Sequence, residues 1–277
     1  MEKKTNERSV RIERLEKIRS RGIPPYPSSS ARTHTIQAVL GGFDHLSESA
    51  NMVTVAGRIM GLREHGGSAF IDMEDGTGRM QAYLKKDVVS KPEHKDKNPL
   101  LYEDFLELID IGDFVEITGT VFTTKAGEKT VLVLAWRLTA KAIRPIPSRW
   151  YGIQDAETRY RKRYLDFLLN PPLKEMFTRK ARFWNSMREF LIARDFLEVY
   201  TPVLETTAGG ADAEPFVTHY NALGMDVYLR ISTGELWQKR LMVAGFPKTF
   251  EIGRQFRNEG IDHEHLQDYT QMECYMA

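Results

Sequence analysis

The stretch Phe250–Tyr275, FEIGRQFRNEGIDHEHLQDYTQMECY, decides how this chain folds. Two short apolar runs flank a polar loop. The pattern predicts a hairpin, with a strand over 249–259, a loop over 260–268 and a strand from 269 onward. Side chains alternate across a strand, so Arg257 and Glu259 are expected on one face with Gln255 behind them. A guanidinium binds phosphate or carboxylate through two parallel hydrogen bonds, so this pair suits an anionic ligand. A plain surface ion pair on an edge hairpin fits the pattern equally well. Glu273 and Tyr275 stand two apart on the second strand and share a face.

Outward from the hairpin, composition sets the frame. The 277 residues allow one large domain or two ordinary ones, and 42% hydrophobic residues is a globular content. The formal net charge of +1 announces no polyanionic partner. Cations do cluster near the N-terminus, where Lys3, Lys4, Arg8, Arg11, Arg14, Lys17, Arg19 and Arg21 face Glu7, Glu13 and Glu16. Val10, Leu15 and Ile18 draw a narrow apolar stripe through them. The segment reads as a basic helix, either solvated or set against RNA phosphates. With Cys274 as the single cysteine, no intrachain disulfide exists, and a reducing compartment is expected. No apolar run is long enough for a membrane span, and the N-terminus lacks a signal-peptide core. The expected location is the cytoplasm, with no membrane partner.

The periodicity divides the chain. A helix over 1–22 is stopped by GIPPYPSSS, since proline has no N–H to donate. From Met52 onward short strands follow: MVTVAGRIM, SAFIDME and RMQAYL, the last two joined at Asp75-Gly76-Thr77-Gly78. After the polar loop KPEHKDKNP comes a helix, PLLYEDFLELI, then strands GDFVEITGTVFTT and EKTVLVLAWRLTAKAI. Five strands with one helix before the fourth fit an OB-type Greek-key barrel, with a β-sandwich as the alternative. Arg144-Pro145-Ile146-Pro147-Ser148 reads as a linker. Beyond it come a charged helix over Asp155–Leu169 and a second helix opened by Pro172 and running to about Ala193. Phe177, Trp184, Met187 and Leu191 give that helix an apolar face, expected in the core, and FLEVYTP reads as a strand. The organisation is thus an N-terminal helix and connector (1–48), an all-β OB-fold barrel (49–145) and an α+β region (146–277).

FRNEG followed by YTQMECYMA resembles motif 2 of the class II aminoacyl-tRNA synthetases, in the form carried by the lysine-specific enzymes. RIERLEKIRSRGIPPYP, ETRYRKRYLDFL and GGADAEPFVTHYNALGMDVYLRI resemble the same family, so the likeness runs from about Ser9 to Ala277. It implies that the third region is part of an antiparallel-sheet catalytic domain. The helix with FLEVYTPVL is similar to motif 1, which implies a homodimer. Asp195 replaces the usual glycine there, and Asp tolerates the left-handed turn better than most residues.

The resemblance assigns roles. Arg257 and Glu259 would be catalytic. Lysine would be held by Gly210, Glu235, Arg257, Glu273 and Tyr275, with Glu235 on the α-ammonium and Glu273 on the ε-ammonium. A buried ammonium requires such a carboxylate, since an unpaired buried charge is very costly. ATP would meet Arg257, Glu259, His265 and Tyr269, the tyrosine stacking on adenine. Glu264 stands where a cation is usual, and Glu214 where an Arg is common. On the barrel, Phe70 and Gln81 match the residues that hold the central anticodon uridine, through stacking and edge recognition. The implied partners are tRNA(Lys), lysine and ATP with Mg²⁺. No zinc-type spacing occurs and no metal ligand is assigned within these residues; those for Mg²⁺ are expected beyond residue 277, with motif 3. On this reading the chain is an incomplete and inactive fragment of the enzyme. A tRNA-binding module without catalysis, or an aspartyl- or asparaginyl-type synthetase, are the rival readings.

Overall fold

The computed structural model describes residues 6–89, 100–147 and 152–277, so the expected loop over 91–99, Ser148, Lys3 and Lys4 lie outside the described residues. The chain separates into two compact units, Met1–Asp166 and Phe167–Ala277.

In the first unit, α1 (Glu7–Ser20), α2 (Ile36–Gly41) and α3 (Phe43–Glu48) precede strands β1 (Val53–His65), β2 (Ser68–Glu74) and β3 (Arg79–Lys85). Then follow α4 (Lys86–Val89), α5 (Tyr102–Leu108), β4 (Phe114–Thr123) and β5 (Lys129–Ala140). The strands close a barrel in the order β1-β2-β3-β5-β4. Closure comes from a parallel β3–β5 pairing (Gln81 opposite Thr130) and an antiparallel β1–β4 pairing (Val53 opposite Gly119). Period-two alternation sends Ala69, Ile71 and Met73, and Met80, Ala82 and Leu84, to the interior. Closing the sheet leaves no exposed strand edge in the barrel. Helix α5 plugs one end: Phe105 is fully buried and meets Trp136 edge-on at 5.0 Å.

The cations of α1 hold the helix down. Arg14 pairs with Asp110, Arg21 with Asp104 and Glu107, and Lys17 with Glu107. Arg11 is buried and donates to the Ile111 and Ala142 carbonyls. Leu15 and Ile18 of the predicted stripe are buried beneath. So Arg11, Arg14, Lys17 and Arg21 anchor the helix, while Arg8, Lys17, Arg19 and Arg21 remain exposed to solvent. At the end of β5, Lys141 has no exposed side-chain surface and donates to Asp110 and Asp113 at 2.6 Å each and to the Leu108 carbonyl. Burial pushes the Asp113 carboxyl above its ordinary range, and Lys141 only partly opposes it.

The predicted helix over Asp155–Leu169 is two: α6 (Ala156–Arg161) and α7 (Arg163–Leu169). Lys162 leaves helical geometry at φ −116°, ψ 44°. The break brings Arg159 and Arg163 to one buried carboxylate, Asp166, at 3.3 and 3.0 Å.

The second unit holds α8 (Pro171–Ile192), β6 (Leu197–Glu198), β7 (Leu204–Glu205), β8 (Val217–Tyr220), β9 (Met225–Leu229), α9 (Glu235–Val243), β10 (Lys248–Phe256) and β11 (Asp268–Met276). Two small sheets form, β11-β10-β6 and β7-β9-β8. Asp195 closes the end of α8 at φ 65°, so the left-handed turn is kept with aspartate in place. The predicted FLEVYTP strand shrinks to two residues because the Thr201 N–H turns to the Glu251 carboxylate. On α8 only Leu191 of the expected core face is buried, while Phe177 is 44% exposed and Phe183 and Phe190 lie more than half open. Among the described residues, no helix is long and apolar enough to cross a membrane.

Candidate active site and nucleic-acid interface

The predicted hairpin exists, but its first strand ends at Phe256, before Arg257 and Glu259. The Arg257 N–H still reaches the Gln267 carbonyl at 2.9 Å; the Asn258 N–H is then captured by the Glu214 carbonyl at 2.8 Å. That capture pulls the chain off the ladder. Arg257 is therefore half-buried at the mouth of the sheet, and Glu259 is exposed on the loop.

One face of the β10–β11 pair is polar. Thr249, Glu251, Gly253 and Gln255 oppose Tyr275, Glu273, Gln271 and Tyr269 in register. Beneath it lies a buried ion pair: Arg230 and Glu251 are each 3% exposed and 2.6 Å apart. The second Glu251 oxygen accepts from the Thr201 hydroxyl at 2.6 Å and its N–H at 3.1 Å, and Arg230 Nε donates to the Arg254 carbonyl. A Cβ at Gly253 would collide with the Arg230 guanidinium, so this position stays glycine. Fully buried Gln238 of α9 donates to the carbonyls of Thr233 and Glu273 and accepts from the Thr249 hydroxyl.

Above this base the expected lysine-site residues converge. Gly210 sits at φ +92°, and a Cβ there would strike Ser232 Oγ and come within 3.0 Å of Glu235 Oε2. Backbone and carboxylate thus lie as close as glycine allows. Glu235 opens α9 and is bridged by Lys239 one turn on. Glu273 is half-buried, accepts from the Thr233 N–H at 3.1 Å and from Gln271 Nε2 at 2.7 Å, and lies opposite Glu251. Burial raises its pKa; the Thr233 N–H opposes the rise and Glu235 adds to it. Burial likewise raises the Tyr275 phenol, helped by the same two glutamates. Thr233 Oγ1 and Gln255 Oε1, both on fully buried side chains, have no partner.

Beside it, Arg257, Glu259, Gly260, Glu264, His265, Leu266, Gln267 and Tyr269 line a cleft of about 200 Å³. The Arg257 guanidinium lies 5.6 Å from the Tyr269 ring centroid and donates to the Ile231 carbonyl. Asp262 caps the loop by accepting from the Glu264 and His265 N–H groups, with the His265 ring at 2.8 Å. Those backbone donors, then the His265 ring, hold the Asp262 carboxyl below its usual range. Arg257 and the Tyr269 ring thus stand beside two half-buried carboxylates, Glu235 and Glu273, so that opposite charges mark the two ends of the set. Among the described residues, no group of three or more His, Cys, Asp or Glu is placed to hold a metal ion.

On the barrel, Phe70 (β2) and Gln81 (β3) share the outer face as diagonal neighbours, since Phe70 opposes Tyr83 and Asp72 opposes Gln81. The Phe70 and Tyr83 rings stack at 4.6 Å, and Gln81 Oε1 accepts from Thr130. Arg63 and Arg79 converge on Asp72 at 2.7 and 3.1 Å. Burial would raise the Asp72 carboxyl, but Arg63 and Arg79 outweigh it and hold it below the ordinary range. A groove of about 650 Å³ runs past Arg63, Arg79, Gln81 and Lys129.

Arg230, Glu251, Gln238, Gln255 and Gln271 carry the site's buried bonds, yet sequence reading passed over all but Gln255. For Glu251 and Gln271 the one signal was polar residues at period two in both strands, which marks a polar face but not the bonds; Arg230 and Gln238 lie off these strands and had none.

Comparison with known proteins agrees with this geometry. Residues 53–139 match the OB-fold nucleic acid binding domain, and residues 155–277 match the tRNA synthetases of class II (D, K and N). A lysine–tRNA ligase of Clostridium novyi (strain NT) is 47% identical over 268 residues, covering 96% of this chain and 50% of that protein. Another, of Fervidobacterium nodosum, is 44% identical over 98% of this chain and 52% of its own length. A third, of Roseiflexus sp. (strain RS-1), is 45% identical over 96% and 53%. The chain spans about half the length of the curated relatives it matches. It carries a class II tRNA synthetase domain preceded by an OB-fold nucleic acid binding domain.

Proposed function

We propose that this chain, with its OB-fold domain and its class II synthetase domain, serves a lysine–tRNA ligase that activates lysine with ATP and passes it to tRNA(Lys) in the cytoplasm. The observation that carries the lysine reading is the pair Glu235 and Glu273 around Gly210. Two carboxylates in one half-buried pocket suit a ligand with two ammonium groups, and they would repel the acidic side chain of aspartate. Such a pocket rejects uncharged analogues, because their binding strands a desolvated carboxylate.

In the reaction, an oxygen of the lysine carboxylate bonds to the α-phosphorus of ATP, and the bond from that phosphorus to the bridging oxygen breaks, releasing pyrophosphate. Two anions must meet, so a fixed cation and exact placement lower the barrier. Arg257 is suited to bridge them, its guanidinium set by the Ile231 carbonyl. Tyr269 offers a ring to adenine, with His265 and Glu259 on the same cleft wall. Mg²⁺ would accompany ATP and neutralise phosphate charge. Phe70 and Gln81 would read the central anticodon base, and the open apolar face of α8, with Phe183 and Phe190, would meet a second copy.

Saturation-transfer NMR on the purified chain tests the lysine reading. Lysine is expected to receive saturation, and norleucine, its apolar counterpart without the ε-ammonium, is not. Equal transfer to both would refute it.

A further inference from the structure

We propose that Gln271 is a positioning residue of the amino-acid pocket: it occupies one oxygen of Glu273 and so presents the other to the ligand's terminal ammonium. The inference rests on the lysine reading above and adds to it a residue that sets how the selecting carboxylate is aimed.

Glu273 Oε1 receives two donors, Gln271 Nε2 at 2.7 Å and the Thr233 N–H at 3.1 Å. Gln271 is itself held, because Gln255 Nε2 donates to its Oε1 at 2.5 Å and Gln255 has no solvent exposure. The polarity of this relay follows from chemistry. An ionised carboxylate only accepts, so the Gln271 group facing it must be the NH₂, which leaves the Gln271 oxygen to accept from Gln255. With both donors on Oε1, the remaining oxygen of Glu273 is the one turned to a ligand. Thr233 Oγ1, on the residue whose N–H meets Glu273, is buried without a partner and adds an acceptor for a primary ammonium.

The charged and titratable groups facing Glu273 are Glu235 and Lys239 on α9, Glu251 on β10 with its partner Arg230, and Tyr275 on its own strand. Arg230 is committed to Glu251 and Lys239 to Glu235. The Thr233 N–H, and behind it the Arg230 charge, oppose the rise in the Glu273 pKa, and the two donors on Oε1 hold the carboxylate in one orientation. Loss of one should raise its pKa and weaken an ammonium ligand together.

The test is Gln271→Met, which keeps length and removes the donor. Lysine affinity of the chain is measured by NMR titration across pH, with norleucine as control and ¹³C-carboxyl titration of Glu273 in parallel. Lysine affinity at neutral pH is expected to fall roughly tenfold, the size of one hydrogen bond to a charged group. The acid limb of lysine binding and the Glu273 titration should both move to higher pH, and norleucine should not respond. A purely structural residue would lower stability and leave the acid limb in place. If the wild-type chain prefers lysine while Gln271→Met changes neither affinity nor limb, the inference is overturned and the lysine reading stands. No lysine preference in the wild type overturns both. Should Gln271→Met fail to fold, Gln255→Met loosens the relay without removing the donor. It should shift the limb the same way by less, and no shift there overturns the inference.

Discussion

Replacing Arg230 by Met isolates the buried ion pair beneath the amino-acid face. Arg230 and Glu251 are each 3% exposed and lie 2.6 Å apart, so neither charge has water to fall back on. In the variant Glu251 keeps only the hydroxyl and N–H of Thr201 as donors. Breaking a buried pair from one side leaves an uncompensated charge, and the expected loss is about 3–5 kcal/mol. Removing both charges, as Arg230→Met with Glu251→Leu, avoids that penalty. The Arg254 carbonyl is stranded in both variants, so the double adds chiefly a Thr201 N–H without its acceptor, at about 1–3 kcal/mol, less than the unpaired charge costs. The double variant should therefore be more stable than Arg230→Met and less stable than the wild type. Urea unfolding followed by tryptophan fluorescence reads this, because Trp184 and Trp237 lie in the second unit and buried Trp136 in the barrel. Only the transition of the second unit should move. A cost below about 1 kcal/mol for Arg230→Met, or a double variant no better than the single, would refute the reasoning.

Phe70→Ala should weaken RNA binding by about 1–3 kcal/mol, the worth of one base on an aromatic ring, with the barrel still folded by circular dichroism. Glu273→Gln should abolish the preference for lysine over norleucine yet stabilise the second unit against urea at neutral pH. The sign follows from the raised carboxyl of Glu273: the folded state holds its proton more tightly than the unfolded one, so its ionisation costs stability as pH rises from the ordinary carboxylate range through the raised value. The gain should vanish on acidification below the ordinary carboxylate range, and a gain persisting there would contradict it. Gly210→Ala places a methyl against Ser232 Oγ at a left-handed backbone position, and should lower the urea midpoint and the lysine signal together.

The barrel was readable because its information is local. Each strand alternates, Asp75–Gly78 fixes one turn, and the helix before β4 has its own apolar period; closure then satisfies them all. The left-handed turn at Asp195 was expected from the likeness to motif 1, since aspartate tolerates that backbone position. The second unit was less so, because its backbone is steered by distant groups. β10 stops at Phe256 because Glu214 takes the Asn258 N–H, and FLEVYTP stays short because Glu251 takes the Thr201 N–H. No local pattern announces either bond. Glu235, Gly210 and Glu273 could be assigned from motif likeness. Arg230, Gln238 and Gln271 could not, since their role is to hold those residues through bonds that appear only once the strands are in register.

The most direct test of the whole account is the choice the barrel makes between anticodons. Fluorescence anisotropy at one fixed salt concentration compares an RNA stem-loop bearing UUU with one bearing UCU, each titrated with the purified chain. A protein that serves tRNA(Lys) through Phe70 and Gln81 should bind the UUU loop on the order of tenfold more tightly, the discrimination expected of one specifically held base. Equal affinity for the two loops, with both titrations equally sensitive to salt, would mean that the groove holds RNA by its phosphates alone, and would contradict the assignment.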